Sequence, residues 1–160
     1  MGKKKPCGIE NVIQDQKYIY KSTSLALRVA MYTNIVIVTG DSGTGKTLAA
    51  SDIKRAKELG KQNEVKTNCD LSNTVVLLDK DDYDRFKCDE HNKLIIMDKA
   101  DKYVNAEIAE FIKSSDNLFI IVSRAHNKYL GKLKVRLESL VEFSGKLVNG
   151  IVVIDGRTAI

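Results

Sequence analysis

From residue 34 onward, short β-branched runs alternate with longer stretches whose apolar residues recur every three or four positions. The runs at 35–39, 74–78, 94–97, 118–122 and 140–143 are apolar at nearly every position, as expected of strands covered by helices on both faces. None shows the polar-apolar alternation of a strand with one wet face. The intervening segments carry helical signals. A helix is predicted from Lys46 to about residue 59, ahead of the stop signal Gly60. Another is predicted near Asn105, where Val104, Ile108, Phe111 and Ile112 share one face, and a shorter one over 81–87. Strand, helix, strand in this order predicts an α/β fold with a parallel sheet.

The flanks are read less directly. Residues 25–31 read as a helix behind Ser22 or Ser24 as N-cap, with an edge strand at 18–20. At the far end, runs at 146–148 and 151–155 flank Asn149-Gly150, a pair suited to the positive φ angles of a type I′ turn, so a terminal hairpin is expected. Residues 1–16 are expected to be loose, and the whole of 1–160 is expected to form one domain.

The segment after the first central run is chemically distinctive. It reads strand, then Gly40-Asp41-Ser42-Gly43-Thr44-Gly45-Lys46-Thr47, then helix, the spacing G-x-x-x-x-G-K-T in the context that such a loop requires. Gly40, Gly43 and Gly45 let the backbone curl with its N–H groups inward, because side chains there would block close approach of phosphate oxygens. The helix starting near Lys46 aims its positive end at the same point, and the Lys46 ammonium adds a full charge. Thr47 is the expected Mg²⁺ ligand, and Leu48 completes the cofactor-binding set. A plain glycine turn with a solvated lysine is the competing reading.

On these residues the chain resembles P-loop NTPases, and "IVIVTGDSGTGKT" is similar to the opening of their AAA-like, additional-strand division. The resemblance covers roughly residues 34–124. It implies a three-layer P-loop fold, with a central, mostly parallel sheet of about five strands and helices on both faces. It also implies ATP and Mg²⁺ as cofactors. The run 94–97 ending in Asp98 has the form of the family's second motif, making Asp98 the expected partner of Thr47 at the metal. Hydrolysing members usually place a glutamate next, whereas this chain has Lys99, which cannot act as a general base without a strongly lowered pKa. Asp101, one helical turn on, is the substitute candidate, or else a helix cap. Asp98-Lys99-Ala100-Asp101 is also similar to the guanine-reading N-K-x-D motif, but no D-x-x-G segment lies between Thr47 and Asp98. At the end of 118–122, the resemblance makes Ser123 the expected γ-phosphate sensor. Arg124 is read as pointing to solvent.

Composition narrows the functional classes. At 160 residues, 43% hydrophobic and 29% charged, the chain is expected to fold, and no apolar run approaches the length that crosses a bilayer. A cytoplasmic location without membrane contact is expected. Cys7, Cys69 and Cys88 have no metal-type spacing and read as reduced thiols; His91 and His126 lack partners for zinc. The net charge of +5 partly reflects Lys3, Lys4 and Lys5. Arg124, Lys128, Lys132, Lys134 and Arg136 form a basic segment that could contact nucleic-acid phosphates, close over nucleotide, or stay solvated. The leading reading is a slow Mg-dependent ATPase or nucleotide-state switch acting through a protein partner or a second copy. Its rivals are a small-molecule kinase, with Asp79, Asp81 or Asp82 at the acceptor, and a non-hydrolysing assembly module.

Overall fold

The computed structural model describes residues 7–39 and 45–159. Its core is a mixed sheet of nine strands. In chain order the strands are β1 (Lys17–Lys21), β2 (Leu25–Ala30), β3 (Ile35–Thr39), β4 (Lys66–Thr67), β5 (Thr74–Leu77), β6 (Leu94–Met97), β7 (Leu118–Val122), β8 (Leu140–Val148) and β9 (Ile151–Thr158). The helices are α1 (Ile9–Asp15), α2 (Lys46–Glu58), α3 (Lys80–Arg85), α4 (Ala100–Tyr103) and α5 (Ala106–Ser114). The sheet order is β4-β1-β2-β9-β8-β3-β7-β6-β5.

One half of this sheet contains the five expected runs, β8, β3, β7, β6 and β5, all mutually parallel. Their pleat divides the core in two. Val36, Val38, Leu94, Ile96, Leu118 and Ile120 pack with Ala49, Ala50 and Ile53 of α2. Ile95, Met97, Phe119 and Ile121 pack on the opposite face with Tyr83 of α3 and Ile108 and Ile112 of α5. β3, β5, β6 and β7 are thus covered on both faces and show no polar alternation, whereas β8, expected to be covered likewise, buries Val141 and Phe143 and leaves Glu142 and Ser144 exposed.

The other half departs from the expected five-strand sheet. Residues 25–30 are strand β2, not a helix: Leu25, Leu27 and Val29 are buried, while Ala26, Arg28 and Ala30 lie on the other face. The period of two was present in the sequence. Leu, Ala and Arg favour a helix locally, but pairing with β1 on one side and β9 on the other prevails over that weak preference. β1 alternates in the same way and is not an edge, since β4 pairs with it outside. Part of the stretch expected to be loose is helix α1, whose Ile9 and Val12 enter the core. Hydrogen bonds between Cys7 and Asp70 anchor its start.

The terminal hairpin is longer than its two predicted arms. β8 and β9 pair antiparallel from Val141 to Thr158 around Asn149-Gly150, whose φ angles of 51° and 80° suit a type I′ turn. β9 then pairs parallel with β2, joining the halves. Gly156 makes this possible, because a Cβ there would lie 2.8 Å from Phe143 Cε1 and 3.1 Å from Val141 Cγ1. Gly156→Val is expected to cost about 1–3 kcal/mol by overpacking, read as a fall in melting temperature of roughly 3–10 °C.

Candidate functional site

The phosphate-loop residues Gly40, Asp41, Ser42, Gly43 and Thr44 lie outside the described residues; their flanks do not. β3 delivers the chain to Thr39, and α2 resumes directly after Gly45. Gly45 sits at φ 90°, ψ 9°, a left-handed conformation that favours glycine. A Cβ there would also come within 2.6 Å of Ile154 Cδ1 on β9. Because Gly45 has no side chain with which to cap α2, it leaves the first-turn N–H groups to another acceptor, the usual setting for an anion. Lys46 is 2% exposed, which disfavours a solvated lysine beside a plain turn. Thr47 is half-buried, whereas Leu48 is 49% exposed.

Asp98 directly follows β6 and is 1% exposed. Its N–H donates to the Leu77 carbonyl at 2.9 Å, and its carbonyl accepts the Tyr83 hydroxyl at 2.5 Å, so the backbone is clamped from β5 and α3. Burial and the nearby Asp98 and Asp101 carboxylates push the Tyr83 phenol well above its ordinary pKa, keeping it a donor. Oδ1 of Asp98 accepts the Lys99 N–H at 3.0 Å; Oδ2 is buried without a hydrogen-bond partner. A buried carboxylate oxygen left open is costly unless something else meets it, and a hydrated divalent cation suits it chemically. Among the described residues no three acidic, His or Cys side chains cluster as a metal cage, so such an ion would draw on phosphate oxygens and water.

Lys99 occupies a left-handed conformation, φ 51° and ψ 38°, at the turn into α4. Asp101, in the first turn of α4, accepts the Arg124 N–H on Oδ1 at 3.2 Å, and its carbonyl accepts from Asn127 Nδ2 at 3.1 Å. Asp101 therefore fastens the loop after β7. The Ser123 hydroxyl donates to the Ala125 carbonyl at 2.9 Å. Arg124, read from sequence as pointing to solvent, is exposed and also places Nη2 3.4 Å from Thr47 Oγ1. Sequence reasoning missed this contact because it spans 77 positions and depends on β7 lying beside β3.

The strand order explains the convergence. β7 pairs with β3 on one side and β6 on the other, with Val38 opposite Val122 and Met97 opposite Ile121. Thr39, Ser123 and Asp98 consequently leave the same carboxyl edge of the parallel sheet, where α/β folds collect ligands. Residues 12–80 match the family model described as Sigma-54 interaction domain, an AAA+ P-loop NTPase domain. That stretch is less than half of the chain; it contains the loop and α2 and stops before Asp98. At the coarse level it supports a P-loop NTPase, in keeping with ATP binding. No curated protein matches the chain.

The other candidates are placed elsewhere. Asp79 caps α3 through the Asp82 N–H, and Asp82 pairs with Lys54 at 2.6 Å and accepts from the Leu78 N–H. Lys128, Lys132, Lys134 and Arg136 are exposed, on a loop held by Leu130 and Leu133 in the core. No described helix is long and apolar enough to cross a membrane.

Proposed function

We propose that this chain is a single P-loop domain that binds Mg-ATP and works as a nucleotide-state switch, with slow hydrolysis, acting through a protein partner. What supports this reading is that the strands preceding Thr47's helix, Arg124 and Asp98 end at one sheet edge, that Arg124 Nη2 lies 3.4 Å from Thr47 Oγ1, and that buried Asp98 has an open oxygen. Lys46 and the amides of 40–47 would hold the β and γ phosphates. Thr47 and Asp98 would hold Mg²⁺ and its water. When bound, the ion neutralises charge on the phosphate oxygens.

Slow turnover follows from the residues beside Asp98. Lys99 supplies no carboxylate, and Asp101 has one oxygen engaged by the Arg124 N–H, leaving only the other to orient water. The kinase reading loses two of its three acceptor candidates, because Asp79 and Asp82 are taken up in capping α3 and pairing Lys54, which leaves it exposed Asp81. The matched family's name places sigma-54 among the partners to be tried.

Melting temperature and phosphate release, measured with ATP, ADP and GTP with and without Mg²⁺, test the proposal. Mg-ATP is expected to stabilise most, with turnover on the order of 10⁻² s⁻¹ or slower, as in P-loop sites lacking an arginine from a partner. Turnover near 10 s⁻¹, the median for enzymes, would refute the switch. Absence of any ATP-induced stabilisation would refute nucleotide binding. Arg124→Ala is expected to weaken ATP about tenfold while leaving ADP nearly unchanged, because a guanidinium 3.4 Å from Thr47 Oγ1 would reach the terminal phosphate of a nucleotide bound there. Equal loss for both nucleotides would place Arg124 elsewhere.

A further inference from the structure

The parallel strands β3, β7, β6 and β5 are covered on both faces, but the half formed by β1, β2, β9 and β8 is covered on one only. Tyr18, Tyr20, Leu27, Val29 and Ile154 face the core, and among the described residues no helix covers the opposite side. The registers align that open side. Ala26 lies opposite Lys21 and Val153, Val153 lies opposite Lys146, and Arg28 lies opposite Ile19 and Asp155.

The open side holds two cavities of about 510 and 390 Å³, which share Arg28, Asp155 and Arg157 and so form one trough. Ile19, Ala26 and Val153 line its apolar floor. Lys21, Arg28, Lys146 and Arg157 surround that floor as exposed cations. Against them stand Asp155, bound to Arg157 Nε at 2.6 Å, Asp15, which lines the second cavity together with Lys17, and exposed Glu142 of β8, opposite Arg157. Cations still outnumber carboxylates around the trough, most clearly at Lys21 and Lys146, and its base is apolar.

These features select one kind of occupant. Four strands spaced about 4.8 Å apart present a strip roughly 14 Å across, close to the 10–12 Å diameter of one helix. The cations call for acidic side chains, and the floor calls for apolar ones on the same face. A nucleic acid satisfies the first demand only, and Tyr32 at one end of the trough is a single exposed ring, not a row of aromatics on which successive bases stack. We propose that this open face docks an acidic amphipathic helix of a partner protein, its apolar stripe on the floor and its carboxylates on the rim.

The trough lies one sheet thickness from the nucleotide site. Ile154, between floor residue Val153 and Asp155, reaches the space beside Gly45, and Tyr20, next to Ile19, donates to Asp52 of α2 at 2.7 Å. Docking rests on the trough's own chemistry, so it stands or fails separately from nucleotide binding.

The test uses a labelled helical peptide with a leucine stripe flanked by glutamates, the same peptide with lysines for glutamates, and single-stranded DNA. Binding is followed by fluorescence anisotropy on the full chain, with Lys21→Glu/Lys146→Glu and Lys146→Glu as variants. Both positions are exposed, and an unchanged melting temperature verifies folding. The glutamate peptide is expected to bind the wild type, to bind the double variant at least about tenfold more weakly, and to bind the single variant at an intermediate level. Raising the salt should narrow that gap. No binding of the glutamate peptide, equal binding of the lysine peptide, equal binding by the variants, or displacement of the peptide by DNA would overturn the proposal.

Discussion

Lys46→Ala is expected to abolish the stabilisation that Mg-ATP confers. A ligand at about one hundred times its Kd stabilises a folded protein by roughly 2.7 kcal/mol. For a domain of this size that corresponds to a rise in melting temperature of roughly 5–10 °C. Lys46 is buried at the first position of α2, directly after the left-handed Gly45, at the helix end proposed to meet phosphate. Without the ammonium, the amides alone must offset a polyphosphate, and the shift should fall below about 2 °C under the same conditions. Differential scanning fluorimetry with and without Mg-ATP reads this directly. Equal shifts in wild type and variant would remove the loop at 40–47 from the binding site.

Asp98→Asn is expected to separate binding from stability. In the unliganded protein Oδ2 of Asp98 is buried without a partner, while Oδ1 accepts from Lys99. An amide keeps the acceptor for the Lys99 N–H and removes the buried charge, so the unliganded variant should melt at the wild-type temperature or above it. Its affinity for ATP should no longer respond to Mg²⁺, because the ligating carboxylate is gone. Titration of ATP with Mg²⁺ and with EDTA measures the dependence. A variant that melts several degrees lower yet keeps its full Mg²⁺ response would reverse the assignment and make Asp98 a structural residue.

The legible parts of the fold share one physical character. Strands β3, β5, β6 and β7 are buried on both sides, and such strands appear in the sequence as continuous apolar runs bounded by polar turns. α2 was equally readable, since its buried positions 46, 49, 50, 53 and 56 follow helical spacing and Gly60, at φ 65°, ends it. β2 was misread because a six-residue segment of Leu, Ala, Arg and Val carries a helical preference that only its neighbours cancel. Those neighbours, β1 and β9, lie on either side of it in sequence, and β9 is more than a hundred residues away.

The candidate site divides in the same way. Lys46, Thr47 and Asp98 could be named in advance because each sits at a fixed offset from a local pattern: a glycine loop before a helix, or an apolar run ending in a carboxylate. Local patterns say nothing of who meets whom. That Arg124 reaches Thr47, that Asp101 fastens the Arg124 loop, and that Tyr83 clamps the Asp98 carbonyl depend on the order β3-β7-β6-β5. Likewise, Lys21, Arg28, Lys146 and Arg157 are scattered in the chain and become one basic rim only through the β1-β2-β9-β8 registers. By itself, then, the sequence determined the parallel core and the chemistry offered at its carboxyl edge, because burial and backbone curvature act over a few neighbouring residues. The sequence also held the β8–β9 turn and a strand at 18–20. The tertiary structure alone decided how these join through β2 into a second half of the sheet, its open face and the partner of each polar side chain, because strand pairing is settled between segments that the chain keeps far apart.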